Sequence, residues 1–173
     1  MRSVALPMFL SLTACSALVP STVVQLMSLS PLTADPEALA IQIVLPDSVG
    51  IVPNSAVLVL SNTFEGETTE GRFVLDQSGD VYRIAPNDVE PLRQLQATIR
   101  TQEEAQPDDN SGSLSVNAAP CLNTANASVE ETVSVSIQAA KDGPFLPLFR
   151  DQPLSALFGQ QDLVTWPTCP TAE

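Results

Sequence analysis

The chain contains no histidine and few cations, and these shortages exclude several classes of function. Its 173 residues include 7 Lys and Arg against 20 Asp and Glu, a formal net charge of -13. Without histidine, Ser-His-Asp and Cys-His hydrolases, His-ligated zinc and imidazole acid–base catalysis are excluded. Because clustered cations are needed to bind a phosphate backbone, the acidic balance also argues against a nucleic-acid partner.

Long apolar runs are absent as well, but a short one lies at the start of the chain. No apolar stretch reaches the roughly 18 residues of a membrane-spanning helix. Arg2 is followed by an apolar run from Val4 to Leu12, and a cation before 9 such residues is typical of a secretory signal. The run leads directly into Leu12-Thr13-Ala14-Cys15.

This tetrapeptide resembles the lipobox of bacterial lipoproteins, in which an aliphatic residue and two small residues precede a cysteine. The resemblance implies that the Cys15 thiol receives a diacylglycerol and that a dedicated peptidase cuts between Ala14 and Cys15. Two or more acyl chains anchor a protein stably, whereas one chain binds only marginally. The resemblance is confined to this opening segment, so it implies nothing about the fold that follows.

The resemblance also predicts the organisation and the address of the chain. Residues 1–14 are expected to be a signal peptide, residues 15–35 a lipid-anchored tether rich in Ser, Thr and Pro, and residues 36–173 a single periplasmic domain. A short strand is possible around Val23 to Met27. Because Ser16 rather than Asp follows the cysteine, the resemblance to enteric lipoproteins favours the outer over the inner membrane.

The two remaining cysteines, Cys121 and Cys169, predict a disulfide. An even pair is the expected signature in an exported protein, where a lipidated Cys15 accounts for the odd thiol. Cys169 lies in a proline-flanked tail that would fray unless it were tied down. A reactive or metal-binding pair is the alternative, but neither cysteine has a Lys or Arg neighbour in the sequence.

Strand periodicity dominates the domain. Alternating apolar residues or turn signals predict strands at 39–45, 56–64, 72–75, 81–84, 113–118, 132–139 and 145–149. Gln77-Ser78-Gly79-Asp80 is typical of a hairpin turn, and Pro147 predicts an edge strand.

Helical spacing appears in two places. Val89, Leu92 and Ile99 predict one long helix between Asn87 and Gln106, with Asn87 or Asp88 as its cap. A shorter helix is expected to follow Asp151, which would be its N-terminal cap. The predicted fold is mainly β, an antiparallel β-sandwich or a partly open barrel with six or seven strands and one long helix; an α+β layered sheet is the alternative.

The sequence contexts of several polar groups favour ordinary surface or packing roles over functional sites. The loop at 107–112 contains a fragment of a calcium-loop pattern, but residue 119 is Ala where an EF-hand needs Glu. Glu65, Glu67 and Glu70 are interpreted as charges of an exposed hairpin, and Lys141 as a turn cation. Tyr82 and Trp166 are too few to make a stacking platform.

The sequence therefore predicts no catalytic residue, no metal and no cofactor. The expected function is that of an envelope lipoprotein with a non-enzymatic structural, adaptor or binding role, held in the bilayer through acylated Cys15 and partnered by an envelope protein. A lipid-anchored hydrolase that uses two carboxylates, or a small-ligand-binding module with its pocket inside the barrel, is the alternative.

Overall fold

A computed structural model describes residues 34–105, 110–158 and 165–170. The fold is mainly β, with 47% strand and 19% helix, and its largest sheet is a curled antiparallel half-barrel. The mainly β prediction is confirmed, in its partly open barrel form. The predicted signal peptide, Cys15 and most of the tether lie outside the described residues.

Nine strands are present in the described part of the chain. They are β1 (Ala40–Val44), β2 (Val49–Ile51), β3 (Val57–Phe64), β4 (Glu67–Ser78), β5 (Val81–Ile84), β6 (Asn110–Asn117), β7 (Pro120–Leu122), β8 (Thr132–Gln138) and β9 (Leu146–Pro153). Seven form the half-barrel in the order β6-β3-β4-β5-β1-β8-β9, while β2 and β7 make a separate two-stranded ribbon. The expected count of six or seven strands was too low, because β2 and β7 are too short to show alternation.

Two tight hairpins set the register of the central strands. Between β4 and β5, Ser78 pairs with Val81, and Gly79 at φ 63° is the first of the two loop residues, as the sequence predicted. Between β3 and β4, the loop residues Glu65 and Gly66 both have positive φ, at 51° and 80°. Positive φ at both positions matches the right-handed twist of the flanking strands.

The long helix lies across the concave face of the half-barrel. A 3₁₀ turn, Pro86–Asp88, leads into α1 (Val89–Ala105), which confirms the predicted helix. Leu92 and Ile99 are buried and belong to the main core cluster. The cluster also contains apolar residues from five strands and from the positions just before β1 and β3: Leu39, Ile41, Ala56, Leu58, Leu60, Phe73, Leu75, Tyr82, Ile84 and Ile137.

The start of this helix differs from the predicted cap. The residue before the 3₁₀ turn is Ala85, which has no side-chain capping bond. The carboxylate of Asp88 instead accepts a hydrogen bond from the Val74 backbone N–H of β4. Asp88 therefore ties the start of the helix to the sheet.

The short second helix, α2 (Leu154–Phe158), also begins differently from expectation. Asp151 is not its cap, because it lies within β9 at φ 48° and its backbone N–H donates to Ser134 Oγ at 2.9 Å. The first N–H groups of α2 donate to backbone carbonyls, Leu154 to Glu131 and Ser155 to Val129. Another chain segment therefore takes the place of a side-chain cap.

The predicted polar loop at 107–112 is shorter than expected. Residues 106–109 lie outside the described part, but Asn110, Ser111 and Gly112 already belong to β6, where they pair with Phe64, Thr63 and Asn62.

The beginning of the domain is fixed to α1. Gln96, buried on the helix, donates to the Ala34 carbonyl at 3.0 Å, and Arg93 lies 3.4 Å from the Asp35 carboxylate. The last two residues of the predicted tether therefore already contact the domain. Among the described residues, no helix is long and apolar enough to cross a membrane.

Candidate functional site: an apolar cavity in the half-barrel

A cavity of about 430 Å³ occupies the part of the concave face that α1 does not cover. It lies between the two ends of the curled sheet, β6 on one side and β1, β8 and β9 on the other, with the β2–β7 ribbon as a further wall. Its volume falls in the range of about 300–1,000 Å³ that is typical of small-molecule sites.

The lining is almost entirely apolar. Among the described residues that line the cavity, Ser115 and Asn117 of β6 are the only polar ones, and none is ionisable. The remaining lining residues are Ile41, Ile43, Leu45, Val49, Gly50, Ile51, Leu114, Val116, Ala118, Pro120, Val133, Val135, Ile137, Leu148 and Phe149.

Two packed clusters hold the walls in place. Ile41 and Ile137 belong to the main core that includes α1. Val49 and Val133 form a second cluster with Leu154 of α2, and the half-buried Trp166 packs against it. Because both clusters are buried, the cavity is bounded by fixed side chains.

The ribbon wall is secured by a disulfide between Cys121 and Cys169. The sulfur atoms are 2.06 Å apart and the bond closes a separation of 48 residues. In the chain-entropy model, a disulfide that closes a loop of that length stabilises the folded state by about 4 kcal/mol. Backbone bonds add to it, since Leu122 N–H donates to the Pro167 carbonyl and Cys169 N–H to the Leu122 carbonyl, each at 2.8 Å.

Gly50 of β2 lets this wall close. A Cβ at Gly50 would lie 2.8 Å from Cys169 Sγ and 3.3 Å from Cys121 Sγ. Only a residue without a side chain therefore allows the disulfide to pack directly against the ribbon.

Glu131 links the segment before β2 to the segment before β8, and both of these strands contribute residues to the cavity lining. Its Oε2 accepts hydrogen bonds from Ser48 Oγ at 2.6 Å and from the Ser128 backbone N–H at 2.8 Å. These bonds, that from Ser128 first, lower the pKa of the Glu131 carboxyl below its ordinary value. Ser48 is in turn bonded through its carbonyl to the Asn123 N–H at 2.8 Å.

The polar candidates from the sequence do not converge on the cavity. Glu65, Glu67 and Glu70 lie at or near the tip of the β3–β4 hairpin, and Lys141 is exposed in the turn before β9. Asp108 and Asp109 lie outside the described residues. Within the described ranges, no three His, Cys, Asp or Glu side chains are grouped as metal ligands.

The single tyrosine and the single tryptophan are packing residues. Tyr82 is 2% exposed in the main core, and its burial, followed by the nearby Asp80 charge, raises the pKa of the phenol. Trp166 lies against the second cluster beside the cavity.

No family model, curated protein or solved structure matches this chain.

Such a cavity can bind a ligand mainly by burying the apolar surface of that ligand. Each buried methylene contributes roughly 0.8 kcal/mol to such binding. Sequence alternation predicted which residues face inward on β1, β6 and β8. It could not show that these faces stay apart and leave a cavity, because that depends on the curl of the sheet.

Proposed function

We propose that this chain is a lipid-anchored protein of the bacterial cell envelope that binds an apolar ligand in its half-barrel and has no enzymatic role. The observation that carries the binding role is the cavity of about 430 Å³, in which none of the lining residues that the structure describes is ionisable. The anchor rests on the resemblance of Leu12-Thr13-Ala14-Cys15 to a lipobox.

The lining also weighs against the hydrolase alternative. Glycoside hydrolysis requires two carboxyl groups on either side of the scissile bond. In the ranges that the structure describes, no carboxyl group lines the cavity, and the one hydroxyl residue there, Ser115, shares the lining with no acid or base. The small-ligand-binding alternative is therefore the one that the geometry favours.

The position of the domain's first residues supports the anchored arrangement. Ala34 and Asp35 are fixed on α1, and 18 residues separate Cys15 from Ala34. At about 3.3–3.6 Å per extended residue, such a segment spans up to roughly 60 Å. The half-barrel can therefore meet ligands that lie at some distance from its own anchor.

The cavity predicts binding of an uncharged apolar probe. We expect the full-length Cys15→Ser chain, which lacks the acylated thiol and needs no detergent, to bind the fluorophore N-phenylnaphthylamine at one site per chain. Val135→Trp should fill the cavity and weaken binding by about tenfold or more, equivalent to roughly 1.4 kcal/mol. The readout is a fluorescence titration.

The matched control is Val74→Trp, which places the same ring on the opposite face of the sheet, where Val74 is 39% exposed. It should leave probe affinity unchanged. Equal binding by the Val135→Trp and parent chains would refute a cavity site.

The anchor predicts a defined mass. Wild-type chain extracted from bacterial membranes should begin at Cys15 and carry the added mass of a diacylglycerol, whereas Cys15→Ser should leave the membrane fraction. Cys121→Ser is the control, because it also replaces a cysteine, here one of the disulfide pair, but should leave the acylated N-terminus intact. Native product that retains residues 1–14 would contradict the anchor.

A second candidate role, as an adaptor for an envelope protein, is favoured by one observation: strand β6 ends the sheet, and no strand of the described part of the chain pairs with its outer edge.

A further inference from the structure

Strand β6 presents a long, regular and exposed edge. All of its residues from Asn110 to Asn117 pair in unbroken register with Phe64 to Val57 of β3. No strand lies on its other side among the described residues. Every residue from 111 to 117 is exposed except the half-buried Leu114. The outward backbone groups of β6 are therefore available to another strand.

The strand at the other end of the sheet, β9, has features that hinder pairing with a further strand, and β6 lacks them. Strand β9 contains Pro147 and Pro153, and its pairing with β8 shifts register twice. It also holds Asp151 at positive φ. Prolines, irregular register and charges are the usual devices that prevent edge pairing. Residues 110–117 contain no proline and no charged residue.

The concave side of β6 has a distinct pattern. Gly112, Leu114 and Val116 lie directly opposite Asn62, Leu60 and Leu58, so they share the apolar face of the sheet. Leu114 and Val116 line the cavity, while Gly112 leaves a gap without a side chain. An added strand would place alternate residues beside these three positions.

A buried acceptor faces the gap at Gly112. Asn62 is 1% exposed, and its Oδ1 has no hydrogen-bond partner within the described part of the chain. That oxygen is the atom nearest to where a Gly112 Cβ would stand, at 3.6 Å. The Asn62 amide nitrogen is already used, because it donates to Gln102 of α1 at 2.9 Å. A side chain that enters the gap is therefore favoured if it can donate.

The surroundings of the gap are acidic. The β3–β4 hairpin tip holds Glu65 and Glu67, and Glu67 pairs with Phe64, the partner of the first β6 residue. Glu103 and Glu104 follow Gln102 at the end of α1. A donor that is also a cation therefore fits this end of β6 better than a neutral or anionic one.

We propose that β6 is a strand-addition site for an extended segment of a partner protein in which two alternate apolar residues are followed, two positions later, by Lys or Arg. In antiparallel pairing the apolar residues lie beside Val116 and Leu114, and the cation lies beside Gly112 within reach of Asn62 Oδ1. Backbone hydrogen bonds to the β6 edge supply affinity, and the alternate side chains supply specificity.

A second copy of the chain is a poorer occupant. With a net charge of -13, two copies repel each other, and β6 itself has no cation to offer an identical strand. A basic partner segment gains from the same charge that disfavours self-pairing. This site goes beyond the proposed apolar ligand, since it uses the strand edge rather than the cavity volume.

The test uses three acetylated peptides and the full-length Cys15→Ser chain. The first peptide is Thr-Val-Thr-Val-Thr-Lys-Thr, and the other two replace Lys by Glu or by uncharged norleucine. We expect the Lys peptide to bind roughly tenfold tighter than the Glu peptide by fluorescence anisotropy. Amide hydrogen exchange, read by NMR, should slow along 111–117 and stay unchanged in β9.

Two variants test the register. Gly112→Val fills the gap, where a Cβ would make only ordinary contact at 3.6 Å, and should abolish the preference for Lys over norleucine. Ser113→Val adds the same side chain on the opposite face and should keep that preference. Thermal unfolding shows that both chains are folded.

Three results would overturn the proposal. They are equal or tighter binding of the Glu peptide, exchange protection that falls on β9 instead of β6, and a β6-mediated dimer of the free chain by sedimentation. N-Phenylnaphthylamine titration of the same samples separates this outcome from failure of the cavity site.

Discussion

Glu131 illustrates how a single residue can join segments that lead into strands lining the cavity. Its two bonds reach Ser48 before β2 and Ser128 before β8, and its own backbone carbonyl accepts from Leu154 of α2. Three segments distant in sequence therefore meet at one residue. Because the bonds favour the charged form of the carboxyl, the link that they make between these segments depends on pH.

The direction of that coupling follows from the lowered pKa. A carboxyl whose folded-state pKa lies below its ordinary value of 4.5 stabilises the fold above that pH, and the contribution is lost as the pH falls through the folded-state pKa. Glu131→Gln should lower the urea midpoint at neutral pH and flatten its decline below about pH 4.5. Urea unfolding across the acid range checks this.

Glu130→Gln is the matched control, because it removes the neighbouring exposed charge without touching these bonds. Its urea midpoint should follow that of the parent chain at every pH. Parallel acid profiles for Glu131→Gln and the parent chain would show that the bonds to Ser48 and Ser128 contribute nothing.

Single residues also mark the limit of reasoning from local sequence. Asp88 and Asp151 both stand where a helix cap is favoured, yet one bonds to Val74 of β4 and the other to Ser134 of β8. Capping preference depends only on the next few residues, whereas these carboxylates and backbone groups meet strands far along the chain. In both residues, a hydrogen bond to a neighbouring strand takes the place of the expected helix cap.

Elements with strong periodicity were predictable, and short ones were not. Val133, Val135 and Ile137 alternate clearly and form β8, while Leu92 and Ile99 placed α1. Strands β2 and β7 have three residues each, too few for any pattern. They form because each pairs with the other next to the disulfide, and that pairing joins segments that lie far apart in the sequence.

The β2–β7 ribbon gives a prediction at this scale. Gly50→Ala places a methyl group within 2.8 Å of Cys169 Sγ, so the ribbon and the disulfide must move apart. Overpacking of this kind costs about 1–3 kcal/mol. We expect a lower free energy of unfolding and a weaker affinity for N-phenylnaphthylamine, since Gly50 lines the cavity.

Gly112→Ala is the control for this substitution, because its added Cβ would lie 3.6 Å from its nearest neighbour, an ordinary contact. It should leave the free energy of unfolding equal to or slightly above that of the parent chain. If both alanine variants unfold alike, close packing at the disulfide does not constrain the ribbon.

At the scale of the whole molecule, the cavity arises because the curled sheet does not close into a barrel. α1 fills one part of the concave face, and the gap between β6 and β9 leaves the other part open. The sequence predicted a mainly β fold and most inward-facing residues. It could not predict the gap, because the separation of sheet ends depends on accumulated twist and on the ribbon that the disulfide holds in place.

The central claim, that the half-barrel binds an apolar ligand, is tested most directly by locating a bound probe. Intermolecular NOEs should be measured between N-phenylnaphthylamine and the methyl groups of the full-length Cys15→Ser chain. We predict NOEs to Ile43, Leu114 and Val135, which line the cavity. NOEs confined to the exposed Val44 and Val74 would contradict the account.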